Sequence, residues 1–214
     1  MKVFVGICNS QKWLPDKFVW SLMSIATIGE VLMSRGTHPW DVVRNNQLIN
    51  EFLKTDADVF VKMDIDQEYP PGYFLKMLPL VEHYKVIGPL IYDRWQAGGF
   101  VPLAFRYHNY PKLEKYDISG LSGVHAIPYT HTNNFYAREV LKNLKPPYYE
   151  AFLRPDGLDR ANHVDFTFLD KIKAAGYSIF CNLDVVVKHI ADMPIGKDEH
   201  EIFNRYRISG LVGA

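Results

Sequence analysis

Val59-Phe-Val-Lys-Met63 is a short, mostly apolar run that ends in two aspartates one residue apart, Asp64 and Asp66. An apolar run of this length reads as a buried strand of a parallel sheet. Pro70 and Pro71 then fix φ where a helix would begin, and Gly72 to Val81 carries apolar residues at helical spacing. The chain therefore presents two carboxylates at the carboxyl end of a buried strand, the edge at which open α/β sheets place their ligands. Two anions this close repel unless a positive charge lies near them. A hard divalent cation, magnesium or manganese, meets that need and keeps positions for water and substrate phosphates. The plain alternative is a strand-to-loop turn with solvated acids, since Asp is a common turn residue.

The pieces around this stretch alternate. Lys2 to Cys8 reads as a first strand, and a helix opens at Pro15-Asp16 with Phe18, Leu22 and Ile25 on its apolar face. Glu30 to Arg35 reads as a second strand, and a helix beginning near His38-Pro39-Trp40-Asp41 carries Arg44. Strand, helix, strand, helix, strand is the pattern of a parallel sheet with right-handed crossovers. No GxGxxG follows the first strand, so the nicotinamide and flavin fingerprint is missing. Lys85 to Tyr92 is the next strand. From Asp93 to about Gly123 periodicity fades into Gly, Pro, Trp and Tyr, the mark of a functional or mobile segment.

Further on, Val124 to Pro128 reads as a strand, Tyr129 to Phe135 as a polar connection and Arg138 to Leu144 as a helix. An amphipathic helix over Val164 to Ala175 stops at Gly176. Two short strands, Tyr177 to Cys181 and Val185 to His189, are separated by Asn182-Leu-Asp184, and a charged helix is expected over Lys197 to Arg207.

Both anchors of this order, the Asp64-Ile-Asp66 strand end and the Val164-Asp165 helix followed by Ala175-Gly176-Tyr177 and a strand ending in His189, resemble the GT-A fold of nucleotide-sugar glycosyltransferases, especially the inverting family 2-type enzymes. Asp64-Ile-Asp66 is similar to their DxD motif, and the later run to their ED…aGy…H signature, with Val164 standing where the family usually has an acid. Thr130-His-Thr132 followed by Arg138-Glu-Val-Leu141 is like the family's acceptor-side strand and helix. The QxxRW motif of the processive synthases is missing, because Arg94-Trp95 sits too early.

The expected fold is α/β and GT-A-like: a mostly parallel central sheet, flanking helices and a smaller acceptor-side β portion. One domain is expected, with a nucleotide-binding half over 1–92, an acceptor and catalytic half over 93–190 and a tail over 191–214. The resemblance implies a donor that is a nucleoside-diphosphate sugar, with UDP as the nucleotide and a carbohydrate or glycoconjugate hydroxyl as the acceptor. Asp66 would ligate Mn2+ or Mg2+ directly. Asp64 would reach the metal through water or contact the ribose, and His189 would be the third ligand. Cys8 and Asn9, at the end of the first strand, should lie near the nucleotide base, and Arg44 would touch the nucleotide or pair with Asp64. Asp165 is the candidate general base of an inverting displacement, with a helix-capping role as its plain alternative. Glu150, Asp156 and Asp159 are fallback bases. Trp95, Tyr107 and Tyr129 are candidates for a stacking platform, and His125 and His131 for structural roles. Two other readings stay open: a GT-A-like domain that binds without catalysis, and a haloacid dehalogenase-type phosphohydrolase with an aspartate nucleophile.

Composition narrows the partners. Lys plus Arg and Asp plus Glu number 24 each, so no global field draws nucleic acid or an acidic membrane. Cys8 and Cys181 lie in apolar runs without a CxxC, as buried free thiols of a reducing compartment would. Met1 to Gly6 alternates too soon for a signal peptide, and no apolar run approaches the ~20 residues of a membrane span. The expectation is a soluble, cytoplasmic enzyme.

Overall fold

The computed structural model describes residues 1–9, 13–25, 30–93, 101–109, 112–156, 161–190 and 194–195. Trp95, Asp159 and the tail helix expected over Lys197 to Arg207 lie outside these, as does the side chain of Tyr107. In chain order the elements are β1 (Val3–Cys8), α1 (Asp16–Ile25), β2 (Val31–Gly36), α2 (Asp41–Lys54), β3 (Val59–Asp64), β4 (Gln67–Glu68), α3 (Tyr73–Tyr84) and β5 (Val86–Asp93). Then come β6 (Val101–Pro102), β7 (Ala104–Asn109), β8 (Lys112–Lys115), β9 (Val124–Ala126), β10 (Tyr129–Thr130) and β11 (Phe135–Ala137). The described chain closes with α4 (Arg138–Asn143), α5 (Val164–Ala174), β12 (Phe180–Ile190) and β13 (Pro194–Ile195).

The main sheet runs β13-β12-β5-β11-β3-β1-β2. β1 pairs in parallel with β2 and β3, and β12 in parallel with β5. β11 is the exception, antiparallel to both β3 and β5. A small antiparallel sheet, β10-β7-β8, stands apart from the main sheet. It occupies the stretch where periodicity faded, so part of that segment is an ordered hairpin. β12 joins the two short strands expected from the sequence into one, with a register shift between Asn182 and Val186 where the break was read.

Side chains alternate across the sheet. Val3, Val5 and Ile7 of β1 and Val59, Val61 and Met63 of β3 pack with Phe18 of α1 and Tyr73, Phe74 and Met77 of α3. Phe4, Cys8 and Phe60 face the other way, toward Leu48, Ile49 and Phe52 of α2 and Phe168, Leu169 and Ile172 of α5. Lys62 and Asp64, at even positions on β3, belong to this second face. That places them under α2 and α5. Among the described residues no helix is long and apolar enough to cross a membrane.

The run before β11 is buried rather than surface-looped: Thr132, Asn133 and Asn134 are at most 1% exposed. Gly88 of β5 makes room for it, since a Cβ there would stand 1.8 Å from Asn134 Oδ1. Gly88→Ala is therefore expected to cost about 1–3 kcal/mol by overpacking, read as a lower midpoint in urea unfolding. An unchanged midpoint would mean that Asn134 moves aside freely.

Candidate active site

The carboxyl ends of β1 and β3, the start of α5 and the end of β12 surround a cavity of about 830 Å³ lined by Cys8, Trp13, Arg44, Lys62, Asp64, Asp66 and Asp165 among others. A second cavity of about 380 Å³ lies beside it. Asp64, Asp66, His163 and Asp165 line both.

Lys62 is the centre of the electrostatics. It is 4% exposed, and Nζ donates to both carboxylate oxygens of Asp64 at 3.0 Å and to Asn133 Oδ1 at 2.7 Å. Burial opposes its charge, but Asp64, Cys8 and Asp165 outweigh that and raise its pKa. Asp64 is likewise disfavoured as an anion by burial, yet Lys62 and His131 hold its pKa below the usual carboxylate value. The positive charge that two close aspartates call for is thus partly supplied by the chain itself. Lys62 was missed in the sequence, although a lysine two residues before Asp64 on a buried strand must share its face.

A closed polar network supports this pair. Asn133 Nδ2 donates to Gln67 Oε1 at 2.6 Å, and the Tyr69 hydroxyl donates to the same oxygen at 2.9 Å. The Asp64 backbone N–H donates to the Tyr69 hydroxyl at 3.1 Å. The strand end that carries both aspartates is therefore fastened from below by buried side chains.

Asp66 and His189 come together through backbone pairing. β4 lies antiparallel to β12 with Gln67 opposite His189, and the Ile190 N–H donates to the Asp66 carbonyl at 2.6 Å. His189 is 7% exposed, and its Nδ1 bonds the Tyr92 carbonyl. A ring nitrogen fixed on a carbonyl leaves Nε2 as the ligand atom, the arrangement usual for metal-bound histidines. Asp66 and His189 thus fit as the protein side of a cation site. Both oxygens of Asp64 are engaged by Lys62, and among the described residues no three His, Cys, Asp or Glu side chains form a group that could hold a metal.

Asp165 sits in the first turn of α5. Its Oδ1 accepts a 2.7 Å hydrogen bond from the hydroxyl of fully buried Thr132. Burial penalises the anion, but His131, Lys62, His163 and the Thr132 bond together bring its pKa down to about 2. His131 is itself pushed toward its neutral form, first by burial. Near neutral pH, Lys62 is accordingly the lasting cation beside Asp165. His163, the N-cap residue of α5, makes no side-chain capping bond, and neither does Asp165 stand at the cap.

The other expectations divide. Cys8 lines the larger cavity, with Sγ 3.0 Å from Asn45 Oδ1 and its thiol pushed up to about 12 by burial. Cys8 and Cys181 are both buried free thiols. Arg44 lines the larger cavity, but Nη1 donates to the His38 carbonyl at 2.7 Å; it is Lys62 that pairs with Asp64. Asn9 is 1% exposed and lines neither cavity, its Nδ2 bonding the Trp13 carbonyl at 3.3 Å. Tyr129 is no open platform: it is buried, with its hydroxyl on Asp170 at 2.7 Å and Lys173 Nζ 3.3 Å above its ring. His125 bonds the Ser122 carbonyl, a structural role, whereas His131 lines the smaller cavity 3.7 Å from Asp64. Glu150 is paired with Lys171 at 2.7 Å, and Asp156 is exposed and lines neither cavity.

No protein-family model and no curated protein matches the chain. Solved structures do. A197 from STIV aligns over 93% of this chain and 92% of its own, with a TM-score of 0.65 and 16% identity. GalNAc-T7 with UDP, GalNAc and Mn2+ aligns over 89% of this chain and 44% of its own, with a TM-score of 0.56 and 13% identity. S. aureus TarS 1-349 in complex with UDP-GlcNAc aligns over 97% of this chain and 66% of its own, with a TM-score of 0.50 and 13% identity. The chain therefore spans nearly all of A197 but less than two thirds of the TarS fragment and less than half of GalNAc-T7. The likeness is one of fold: this protein has a GT-A-like α/β fold, with a mostly parallel sheet between helices and a small antiparallel sheet beside it.

Proposed function

We propose that the protein transfers a sugar from a nucleoside-diphosphate sugar, with UDP as the nucleotide, to an acceptor hydroxyl with inversion. The observation that carries this reading is that Asp64, Asp66 and Asp165 line two adjoining cavities, so that donor and acceptor can meet at one carboxylate. UDP is present in the GalNAc-T7 structure and UDP-GlcNAc in that of TarS, and both share this fold.

The larger cavity takes the donor. Its nucleotide lies along the end of β1 by Cys8 and against Arg44, and its diphosphate faces Lys62. The acceptor oxygen attacks the anomeric carbon while the carbon–oxygen bond to the diphosphate breaks, and that electron pair leaves with the phosphate. The hydroxyl proton passes to Asp165. Lys62, whose three N–H donors are taken by Asp64 and Asn133, acts at longer range by offsetting the negative charge of the strand end beside the leaving group. A Mn2+ or Mg2+ ion entering with the diphosphate would be held by Asp66 and His189 and would supply Lewis-acid neutralisation of the leaving phosphate.

The test is a thermal-shift screen of UDP-, GDP-, CMP- and dTDP-sugars with and without manganese. A ligand at about 100 times its Kd adds about 2.7 kcal/mol to stability. UDP-sugars are expected to raise Tm, and manganese to add to that rise. Asp66→Ala and His189→Ala should each abolish the manganese increment while leaving a metal-free UDP shift. An unchanged increment in both variants would remove this pair as the ion's holders, and no shift with any nucleotide sugar would remove the donor site.

A further inference from the structure

The two cavities differ in chemistry as well as size. Beyond the residues they share, the larger mixes Asp16, Asp41, Arg44, Asn45 and Lys62 with apolar side chains such as Trp13, Leu14 and Ile65. The smaller is lined by Leu103, Phe105, Leu113 and Phe166, with Thr130, His131 and His189. Its apolar wall comes from two directions. Leu103 and Phe105 stand at alternate positions entering and on β7, and so share a face; Leu113 lies on the paired strand β8. Phe166 follows Asp165 on α5 and meets Phe105 edge-on with ring centroids 5.7 Å apart. The groups able to hydrogen-bond are Thr130, His131, His163, His189 and the three aspartates. Among the described residues, the wall of the smaller cavity carries no lysine or arginine.

We propose, resting on the transfer reading above, that the smaller cavity is the acceptor subsite and that it takes a hydroxyl carried on an apolar frame, namely a glycoside with an alkyl or aryl aglycone. A bare oligosaccharide brings hydroxyls on every side, and each one buried without a partner costs free energy. Four apolar side chains offer such hydroxyls nothing. They do cover an aglycone, whose removal from water is favourable in proportion to its apolar area. Three aspartates on the shared wall also disfavour an anionic acceptor. A volume of about 380 Å³ admits a single sugar ring with a short substituent, at the small end of ligand pockets. The acceptor enters with its hydroxyl toward Asp165 and its aglycone between Phe105, Phe166 and the two leucines.

The experiment uses the full chain with a panel of UDP-hexoses and UDP-N-acetylhexosamines, following UDP release and product mass. Octyl and p-nitrophenyl glycosides are expected to accelerate UDP release with a KM at least about tenfold below that of the matching methyl glycosides, the effect of covering a few methylene groups. Leu103→Asn and Leu113→Asn, at two partly exposed positions, should each shrink that KM ratio at least threefold. Equal KM values for methyl and octyl glycosides, or a ratio unmoved in both folded variants, would overturn the inference. If donor is hydrolysed but no apolar glycoside accelerates release, only the acceptor class falls. If no donor is bound or turned over, the transfer reading falls and takes this inference with it.

Discussion

Lys62→Met is expected to lower Tm by roughly 5–10 °C and to weaken binding of the nucleotide diphosphate. The side chain is 5% exposed and its partner Asp64 22%. Removing one member of a fully buried pair costs about 3–5 kcal/mol, because a charge is left without compensation. Partial solvent access at Asp64 relieves some of that, so about 2–3 kcal/mol is the better figure here. In a chain of this size each kcal/mol moves Tm by roughly 2–4 °C. Asn133 Oδ1 loses its 2.7 Å donor as well, which loosens the network through Gln67 and Tyr69. The check is a double-mutant cycle by calorimetry with Lys62→Met, Asp64→Asn and both together. The double variant should recover part of the loss, since the uncompensated carboxylate is gone. Strictly additive effects, or a Lys62→Met Tm within a degree of the parent, would show that the pair does not hold the strand end.

The parts of this site that were legible in the sequence are those where local pattern and chemistry coincide. β3 with Asp64 and Asp66 is an apolar run cut short by acids, and α5 with Asp165 carries its own period and its glycine stop at Gly176, where φ is +89°. β12 with His189 is a β-branched run. Each announces itself within a window of about ten residues. What was not legible depends on partners far along the chain. β11 is three residues long, too short for any period, and is a strand only because β3 and β5 flank it. Thr132, Asn133 and Asn134 read as loop residues because polar side chains are usually exposed; Thr132 and Asn133 are buried because Asp165, Lys62 and Gln67 accept or supply their hydrogen bonds. Tyr129 read as a platform because its aromatic ring was visible and its bond to Asp170 was not. The partner of Asp64 was hidden for the same reason: it is Lys62, and an ion pair is a tertiary fact even when its members are two residues apart.

Asp165→Asn is expected to cut sugar transfer by roughly 10²-fold while leaving the fold and UDP-sugar binding in place. The size follows from the basicity of the group. Positioned bases contribute roughly 10²–10⁴-fold, and less when the base is weak. A carboxylate held at about 2 is weak, which places the loss at the low end. Its pKa lies below the ordinary 3.8, so the ionised group adds to stability above about pH 4 and that contribution fades as pH falls toward about 2. Asp165 is therefore fully ionised at working pH, and its own titration puts no limb on the rate profile in the neutral range. Asparagine is nearly isosteric and can keep an oxygen facing the Thr132 hydroxyl, so the 2.7 Å bond survives while the proton acceptor does not. Single-turnover transfer with saturating donor and acceptor separates the two, with UDP affinity measured by calorimetry on the same preparation. A variant that keeps more than about a tenth of the parent rate would move the base elsewhere, and the side chains to try next are His131 and His163, which share the smaller cavity with Asp165.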